Sequence, residues 1–156
     1  MFEVVIFKLN GGILMSKSLC VSCMTKKGVS SVVVMCDGKL EMKSVTRIKD
    51  TEVLTSSYLC LIDTFITALR LVRKYVDENS NVEKVVFEVN NSTFIKWVYN
   101  SFSKEQYQDL FSEALELLNE IPIQYALTYS KKPLATMYLS EVENEVKLSG
   151  LLDEDE

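Results

Sequence analysis

The spacing of apolar residues along this chain first changes between Ile48 and Thr55. Before that point, short β-branched runs are separated by turn signals, and Asp37-Gly38 is typical of a two-residue hairpin turn. Over residues 55–75, apolar residues recur at the i, i+3, i+4, i+7 spacing of an amphipathic helix. The change predicts antiparallel hairpins first and a crossover helix next, after which later strands join the sheet in parallel.

The remaining apolar runs extend this pattern to the whole chain. The predicted strands cover residues 3–9, 18–25, 28–36, 39–48, 84–89 and 123–129. The predicted helices cover residues 55–75, 92–102, 104–119 and 134–148. The fold class is therefore α/β with a mixed sheet of the α+β kind, in which N-terminal hairpins precede βα units. We expect a single domain over residues 1–150 and an acidic tail over residues 151–156.

Composition narrows the function classes. The 156 residues are 47% apolar and 25% charged, which is ordinary for a globular protein, and the chain lacks histidine, which excludes imidazole catalysis and histidine metal ligands. The net charge of −5 disfavours a globally basic nucleic-acid binder but leaves room for a local basic patch. Apolar runs are too short for a membrane helix, and Lys8 interrupts the N-terminal one, so no signal peptide is predicted.

The cysteines and the overall residue usage predict a cellular compartment and a type of genome for this protein. Without a secretion signal, the thiols are expected to be free and reduced in a cytoplasmic protein, at positions Cys20, Cys23, Cys36 and Cys60. Residues 20 and 23 form a C-x₂-C pair, but they lie within a predicted strand, where they face opposite ways. The scarcity of Pro and His beside many Lys, Asn and Ser suits a small AT-rich genome such as that of a phage.

Local sequence resembles the ribonuclease H-like family over roughly residues 19–142. Residues 91–100 (NSTFIKWVYN) are similar to a family pattern in which an Asp ends the fourth strand before Ser, aliphatic residues and a Val-Asn pair. Asn91, or Asn90 in the neighbouring register, stands where that Asp belongs. Residues 57–62 (SYLCLI) resemble the first family helix, with Ser57 at the position of a catalytic Glu.

Two further segments extend the resemblance. Residues 24–28 (MTKKG) are similar to the end of the first family strand, with Lys26 where an Asp would be. Residues 137–139 (MYL) resemble the region of the last family Asp, with Tyr138 supplying no acid. Residues 1–17 fall outside this pattern. They form either an added edge strand or the true start of the first strand, which would bring Lys8 near the Asp position.

The resemblance implies the fold, whereas these residues oppose the family's chemistry. Family members hydrolyse phosphodiesters with two metal ions held by clustered carboxylates. Lys26, Ser57, Asn91 and Tyr138 supply no negative charge, and a central lysine repels a cation by several kcal/mol at ~4 Å and an effective dielectric constant of ~20. We therefore expect no catalysis, metal or cofactor. The alternative is a rearranged carboxylate site, for which Asp63 and Glu88 are the main candidates.

Three surfaces are candidates for binding. A basic strip of Lys26, Lys27, Lys39, Lys43 and Arg47 would contact nucleic acid, or else protect a sheet edge by charge. Trp97 and Tyr99 belong to an aromatic cluster that would join the core or meet a partner subunit, with base stacking as the less favoured alternative. In the tail, Leu151 and Leu152 precede four acids, which is typical of a docking peptide, of a solvated end, or of a segment that masks the lysines.

The preferred interpretation is a non-catalytic ribonuclease H-like module, a pseudoenzyme with a binding or regulatory role. It would act through a protein partner or through nucleic-acid contact without cleavage, and no membrane contact is expected. The first alternative is a metal-dependent nuclease with rearranged carboxylates. The second is a structural subunit that forms a homo-oligomer through its apolar helices or an exposed sheet edge.

Overall fold

The computed structural model describes residues 6–9 and 12–142. Two short strands, β1 (Ile6–Leu9) and β2 (Gly12–Met15), pair antiparallel with each other. They form a separate two-stranded ribbon and do not extend the main sheet. Of the two alternatives for residues 1–17, the described part is not an added edge strand of the main sheet, and it joins the first strand of that sheet only at Lys17, so that Lys8 lies in the separate hairpin.

The main sheet contains five strands, whose bounds are β3 (Lys17–Lys26), β4 (Val29–Cys36), β5 (Lys39–Arg47), β6 (Val82–Val89) and β7 (Gln124–Tyr129). Their order across the sheet is β5-β4-β3-β6-β7. The first three strands are antiparallel, whereas β6 pairs in parallel with β3, and β7 pairs in parallel with β6. This mixed sheet, with hairpins first and βα units later, confirms the predicted fold class.

Two tight turns join the first three strands of this sheet. Lys27 and Gly28 have φ angles of +51° and +76°, and Asp37 and Gly38 have φ angles of +51° and +78°. Positive φ at both central positions is typical of type I′ hairpins, in which glycine at the second position avoids strain. The hairpin predicted at Asp37-Gly38 is confirmed.

Three α-helices follow the hairpins, with bounds α1 (Ser57–Glu78), α2 (Ser92–Asn100) and α3 (Gln108–Glu120). Short 3₁₀ segments cover Val53–Thr55, Glu105–Tyr107 and Leu134–Tyr138. The helix predicted for residues 134–148 begins as the last of these segments and is α-helical over residues 139–142; the rest lies outside the described residues. Within the described part of the chain, every helix is too short or too polar to cross a membrane.

The main core lies between the sheet and α1. The Phe65 ring meets Phe87 of β6 edge-on at a centroid distance of 5.0 Å and Phe94 of α2 at 5.2 Å. Along β3, alternate residues enter this core, and Cys23 is fully buried there. The intervening residues of β3 face the opposite side of the sheet, where the Leu134–Tyr138 segment covers Ser22, whereas Ser18 and Cys20 are exposed.

Candidate functional site

The carboxyl ends of the parallel strands define one edge of the sheet. Ser22 of β3 lies opposite Glu88 of β6 in the parallel register. Beyond this pair both strands run toward the same edge, where β3 ends at Lys26 and β6 is followed by Asn91. Strand β7 ends there too, and residues 130–132 (SKK) follow it. Open α/β sheets commonly bind ligands outside the carboxyl ends of their parallel strands.

A surface pocket lies at this carboxyl edge, between the β3–β4 turn and the start of α1. Lys26 and Ser57, two of the positions that the family resemblance singled out, line it together. Its other lining residues are Thr25, Lys27, Gly28, Leu54, Thr55, Ser56 and Cys60. Ammonium groups, hydroxyl groups and the positive end of a 22-residue helix are all suited to an anion.

Ser56 fixes the start of α1 beside this pocket. Its Oγ accepts hydrogen bonds from the backbone N–H groups of Tyr58 at 3.1 Å and Leu59 at 3.5 Å. Asn91 does the same for α2, since its Oδ1 accepts from the Phe94 N–H at 2.9 Å. Asn91, at a position where the family pattern has a carboxylate, is therefore occupied by the helix that it caps, whereas α1 is capped by Ser56, one residue before Ser57.

Tyr138 lies away from this edge, above strand β5. The Lys43 ammonium stands 5.1 Å from the centroid of the Tyr138 ring and 2.8 Å from a carboxylate oxygen of Glu141. Of the four positions that the family resemblance singled out, the structure thus brings Lys26 and Ser57 into one pocket. It places Asn91 at the same edge and Tyr138 over the flank of the sheet.

Glu88 takes part in a structural hydrogen-bond network. One carboxylate oxygen accepts from the Ser22 hydroxyl at 3.2 Å and from the Leu134 N–H at 2.9 Å. The Ala135 N–H donates to Ser22 Oγ at 2.8 Å, and the Ser31 hydroxyl donates to the Ala135 carbonyl at 2.8 Å. Glu88 therefore anchors the start of the Leu134–Tyr138 segment onto the sheet. Burial, and next the Glu88 carboxylate, raises the pKa of the nearby Cys20 thiol.

Asp63, the other candidate for a rearranged carboxylate site, lies on the opposite side of the sheet from Glu88. It belongs to α1, where burial, and next the Asp50 carboxylate, raises the pKa of its carboxyl group. Glu88 faces away from α1, since its strand neighbour Phe87 packs against that helix. In the part of the chain that the structure describes, no three His, Cys, Asp or Glu side chains are grouped so that they could hold a metal ion. This donor set does not fit a pair of divalent cations.

The basic strip predicted from the sequence is divided by the strand register. Arg47 pairs with Val29 next to the β3–β4 turn, so it lies at the carboxyl edge with Lys26 and Lys27. Lys39 pairs with Cys36 at the opposite end of the sheet. Lys43 lies between them and is held in its ion pair with Glu141.

Sequence reasoning missed two lysines at the carboxyl edge. Lys131 and Lys132 are exposed and follow β7 directly, where the Ser130 N–H donates to the Val89 carbonyl of β6 at 2.9 Å. A usable signal was present, because a basic pair after a predicted parallel strand must lie at the same edge as the ends of its neighbours.

The aromatic cluster separates into a buried and an exposed part. Trp97 is 8% exposed and packs against Tyr58, with ring centroids 4.8 Å apart, so it contributes to the core. Tyr99 is 55% exposed, and its hydroxyl accepts from the Leu127 N–H of β7 at 2.9 Å. Leu151 and Leu152 lie outside the described residues, so the role of the tail stays a prediction.

The cysteine predictions can be compared with the structure directly. All four thiols are free; Cys23, Cys36 and Cys60 are buried, whereas Cys20 is exposed. The side chains of Cys20 and Cys23 point to opposite faces of β3, as their spacing predicted. The C-x₂-C pair therefore does not form a joint redox or metal site.

Comparison with known proteins identifies the fold. No protein-family model matches the chain, and no curated protein sequence matches it. Among solved structures, it is similar to LC11 RNase H1, isolated from compost by a metagenomic approach. The TM-score is 0.60 at 11% identity, and the match covers 81% of this chain and 91% of that one.

The same compost enzyme in complex with an RNA/DNA hybrid gives a TM-score of 0.59 at 13% identity. That match covers 80% of this chain and 93% of the other. The fold is therefore ribonuclease H-like, which confirms the part of the family resemblance that concerns architecture.

Proposed function

We propose that this protein is a ribonuclease H-like module that binds a nucleic-acid backbone without cleaving it. The observation that carries the proposal is the pocket in which Lys26 and Lys27 meet Ser56 and Ser57 at the start of α1. Such a pocket offers cationic and hydroxyl groups to a phosphate beside a helix N-terminus. The exposed Lys131–Lys132 pair provides further positive charge along the same edge of the sheet.

The charge distribution supports a local contact in a chain whose net charge is negative. The carboxyl edge collects Lys26, Lys27, Arg47 and the Lys131–Lys132 pair. Acidic residues line a neighbouring groove between the 3₁₀ segments and α3, namely Asp50, Glu52, Asp109 and Glu113, and this groove adjoins the basic pocket at the Val53–Thr55 segment. A polyanion would therefore be attracted to the basic pocket and repelled from the acidic groove beside it, which would orient it on the molecule.

Three side chains support binding without cleavage. Lys26 brings a positive charge to a family position that holds an Asp, and a cation site there would be repelled. Asn91 caps α2, and the Glu88 carboxylate anchors the Leu134–Tyr138 segment. The similar compost enzyme was solved with an RNA/DNA hybrid, so a hybrid is the first probe to test.

The test measures binding of labelled RNA–DNA hybrid, duplex DNA and single strands by fluorescence anisotropy at several salt concentrations. We expect affinity to fall steeply with salt, because phosphate contacts release counterions. The double variant Lys26→Glu/Lys27→Glu should bind at least about ten-fold more weakly and lower the salt slope by about two. The matched control is Lys39→Glu/Lys84→Glu, which makes the same charge change at the opposite end of the sheet and should follow the same slope as the unmodified protein.

Cleavage is measured on the same probes with Mg²⁺ or Mn²⁺, and we expect them to stay intact. Metal-dependent cleavage that disappears in Glu88→Ala or Asp63→Ala would instead establish the rearranged nuclease. Failure to retain any probe at low salt would contradict the nucleic-acid proposal and favour a protein partner. Equal weakening by both double variants would show only a general charge effect.

A further inference from the structure

The outer edge of β7 carries unpaired backbone donors. In the described part of the sheet, β7 pairs on one side only, with β6. The Ser130 N–H points inward to β6, so the N–H groups of Tyr125, Leu127 and Tyr129 point outward by the alternation of an extended strand. The Leu127 N–H confirms this direction, because it donates to the Tyr99 hydroxyl outside the sheet at 2.9 Å.

Strand β7 itself lacks the charges and prolines with which edge strands usually prevent pairing, although the Tyr99 hydroxyl covers its central outward donor. Strand β7 reads QYALTY and contains no charged residue and no proline. The other edge strand, β5, carries Lys39, Glu41, Lys43 and Arg47, and its pairing shifts register opposite Val34 and Met35. Charges and bulges of that kind block edge-to-edge association. Tyr125 and Tyr129 expose 38% and 55% of their surface along the β7 edge, beside the half-exposed Tyr99.

We propose that the β7 edge binds β7 of a second copy of this chain, antiparallel and about a two-fold axis at Leu127. The strand is symmetric about that residue, with tyrosine two positions before and two positions after it. In this register, Tyr125 faces Tyr129 of the second copy on both sides of the axis, and cross-strand aromatic pairs of this kind stabilise antiparallel strands.

The absence of charge on β7 allows a second copy to bind there. Each chain carries a net charge of −5, which opposes association, but a contact between two uncharged strands places no like charges directly opposite each other. A nucleic acid would find no cation on β7, whose nearest lysines follow the strand at its carboxyl end. The pairing does not depend on the proposed nucleic-acid function, since it uses a different edge of the sheet.

The Tyr99 hydroxyl must be displaced from the edge before the second copy can pair with Leu127. This hydroxyl accepts from the central outward donor, and pairing exchanges that bond for one to the second copy. Because one hydrogen bond replaces another, the exchange adds little net free energy of association at that position. We therefore expect a weak dimer that dissociates on dilution. Removing the hydroxyl leaves the Leu127 N–H without a partner in the monomer and thereby favours the dimer.

The experiment is sedimentation velocity of the full chain over a range of concentrations, with circular dichroism to verify folding of each variant. The unmodified protein should show a reversible monomer–dimer equilibrium. Tyr125→Lys and Tyr129→Glu should each weaken it about ten-fold, because each change occurs at two symmetric pairs. Combined in one chain, they place the introduced lysine opposite the introduced glutamate, and the dimer should recover.

Two further variants complete the test. Tyr99→Phe should tighten the dimer about five-fold, the equivalent of one hydrogen bond. Met137→Lys places a lysine on another exposed apolar residue, away from β7, and should leave the equilibrium unchanged. A monomer at every concentration would overturn the proposal. It would also fail if the single variants had no effect or if the combined variant did not recover.

Discussion

The two faces of the five-stranded sheet are covered in different ways. The 22-residue helix α1 covers one face with apolar side chains such as Phe65 and Ile62, which are fully buried. The five-residue Leu134–Tyr138 segment covers part of the other face, where the sheet presents Ser22, Ser31 and Glu88. A long helix satisfies most of its own backbone groups, whereas a single 3₁₀ turn needs partners from elsewhere. The sheet therefore carries polar residues on this face because the short segment that covers it needs hydrogen-bond partners for its backbone.

Phe87 and Glu88 are neighbours on β6 that face opposite sides, so their substitution compares the two faces directly. Phe87 is fully buried between β6 and Phe65. We expect Phe87→Ala to lower the free energy of unfolding by about 3–5 kcal/mol, since it removes a large side chain and leaves a cavity. Urea denaturation followed by circular dichroism measures this change. A loss below about 1 kcal/mol would show that the helix-covered face is not the main core.

Glu88→Ala tests the polar face and should have a smaller effect. It removes the acceptor for the Leu134 N–H and the Ser22 hydroxyl, with an expected loss of about 1–3 kcal/mol in the same denaturation experiment. Glu88→Gln is the matched control, because its amide oxygen can still accept both bonds, and it should retain most of the stability. If the two variants lose equal stability, the carboxylate charge is the important property and not its role as an acceptor.

Asp63→Asn should give the smallest effect and should depend on pH. Burial and Asp50 raise the pKa of Asp63 above its ordinary value of 3.8, so the folded protein binds that proton more tightly than the unfolded chain does. Stability is then lost as the pH rises from 3.8 through the folded-state pKa, and the asparagine variant avoids this loss. Its melting temperature should exceed that of the unmodified protein at pH 7. The corresponding gain in the free energy of unfolding should be smaller than the losses expected for Phe87→Ala and Glu88→Ala.

The difference at Asp63 should shrink as the pH falls toward 3.8, which differential scanning fluorimetry across a pH series can follow. Glu83→Gln, at an exposed position near the start of β6, makes the same charge change and serves as a control. An equal rise in both variants would indicate relief of general negative charge. A rise that persists at low pH would contradict a cause in the ionisation of Asp63.

Local signals in the sequence predicted much of the fold. Residues 37–38 specified their hairpin, and the spacing over residues 55–75 specified most of α1, because both depend on neighbours along the chain. The separate β1–β2 ribbon was not predicted, since a short apolar run does not determine which strand it will pair with. The order of the strands across the sheet was not predicted from these signals.

The candidate site was harder to predict because it depends on register and on distant contacts. Lys39 and Arg47 look equivalent in the sequence, but nine residues of β5 carry them to opposite ends of the sheet. Glu88 anchors Leu134 across 46 positions of sequence, and no local pattern indicates such a contact. The position of Lys131 and Lys132 at the carboxyl edge follows only from the parallel pairing of β7 with β6.

The parallel pairing of β3 with β6 also affects how the chain folds. Ser22 and Glu88 are side by side in the sheet but 66 positions apart in the sequence. The β3–β4–β5 meander can form from contacts between near neighbours, whereas β6 must wait for the segment that contains α1 to close a long loop. Until it does, the inner edge of β3 is exposed with its apolar Leu19 and Val21, which are 1% and 0% exposed in the finished fold. That edge is the surface through which a slowly folding chain would aggregate, so conditions that delay the docking of β6 should lower the yield of refolding.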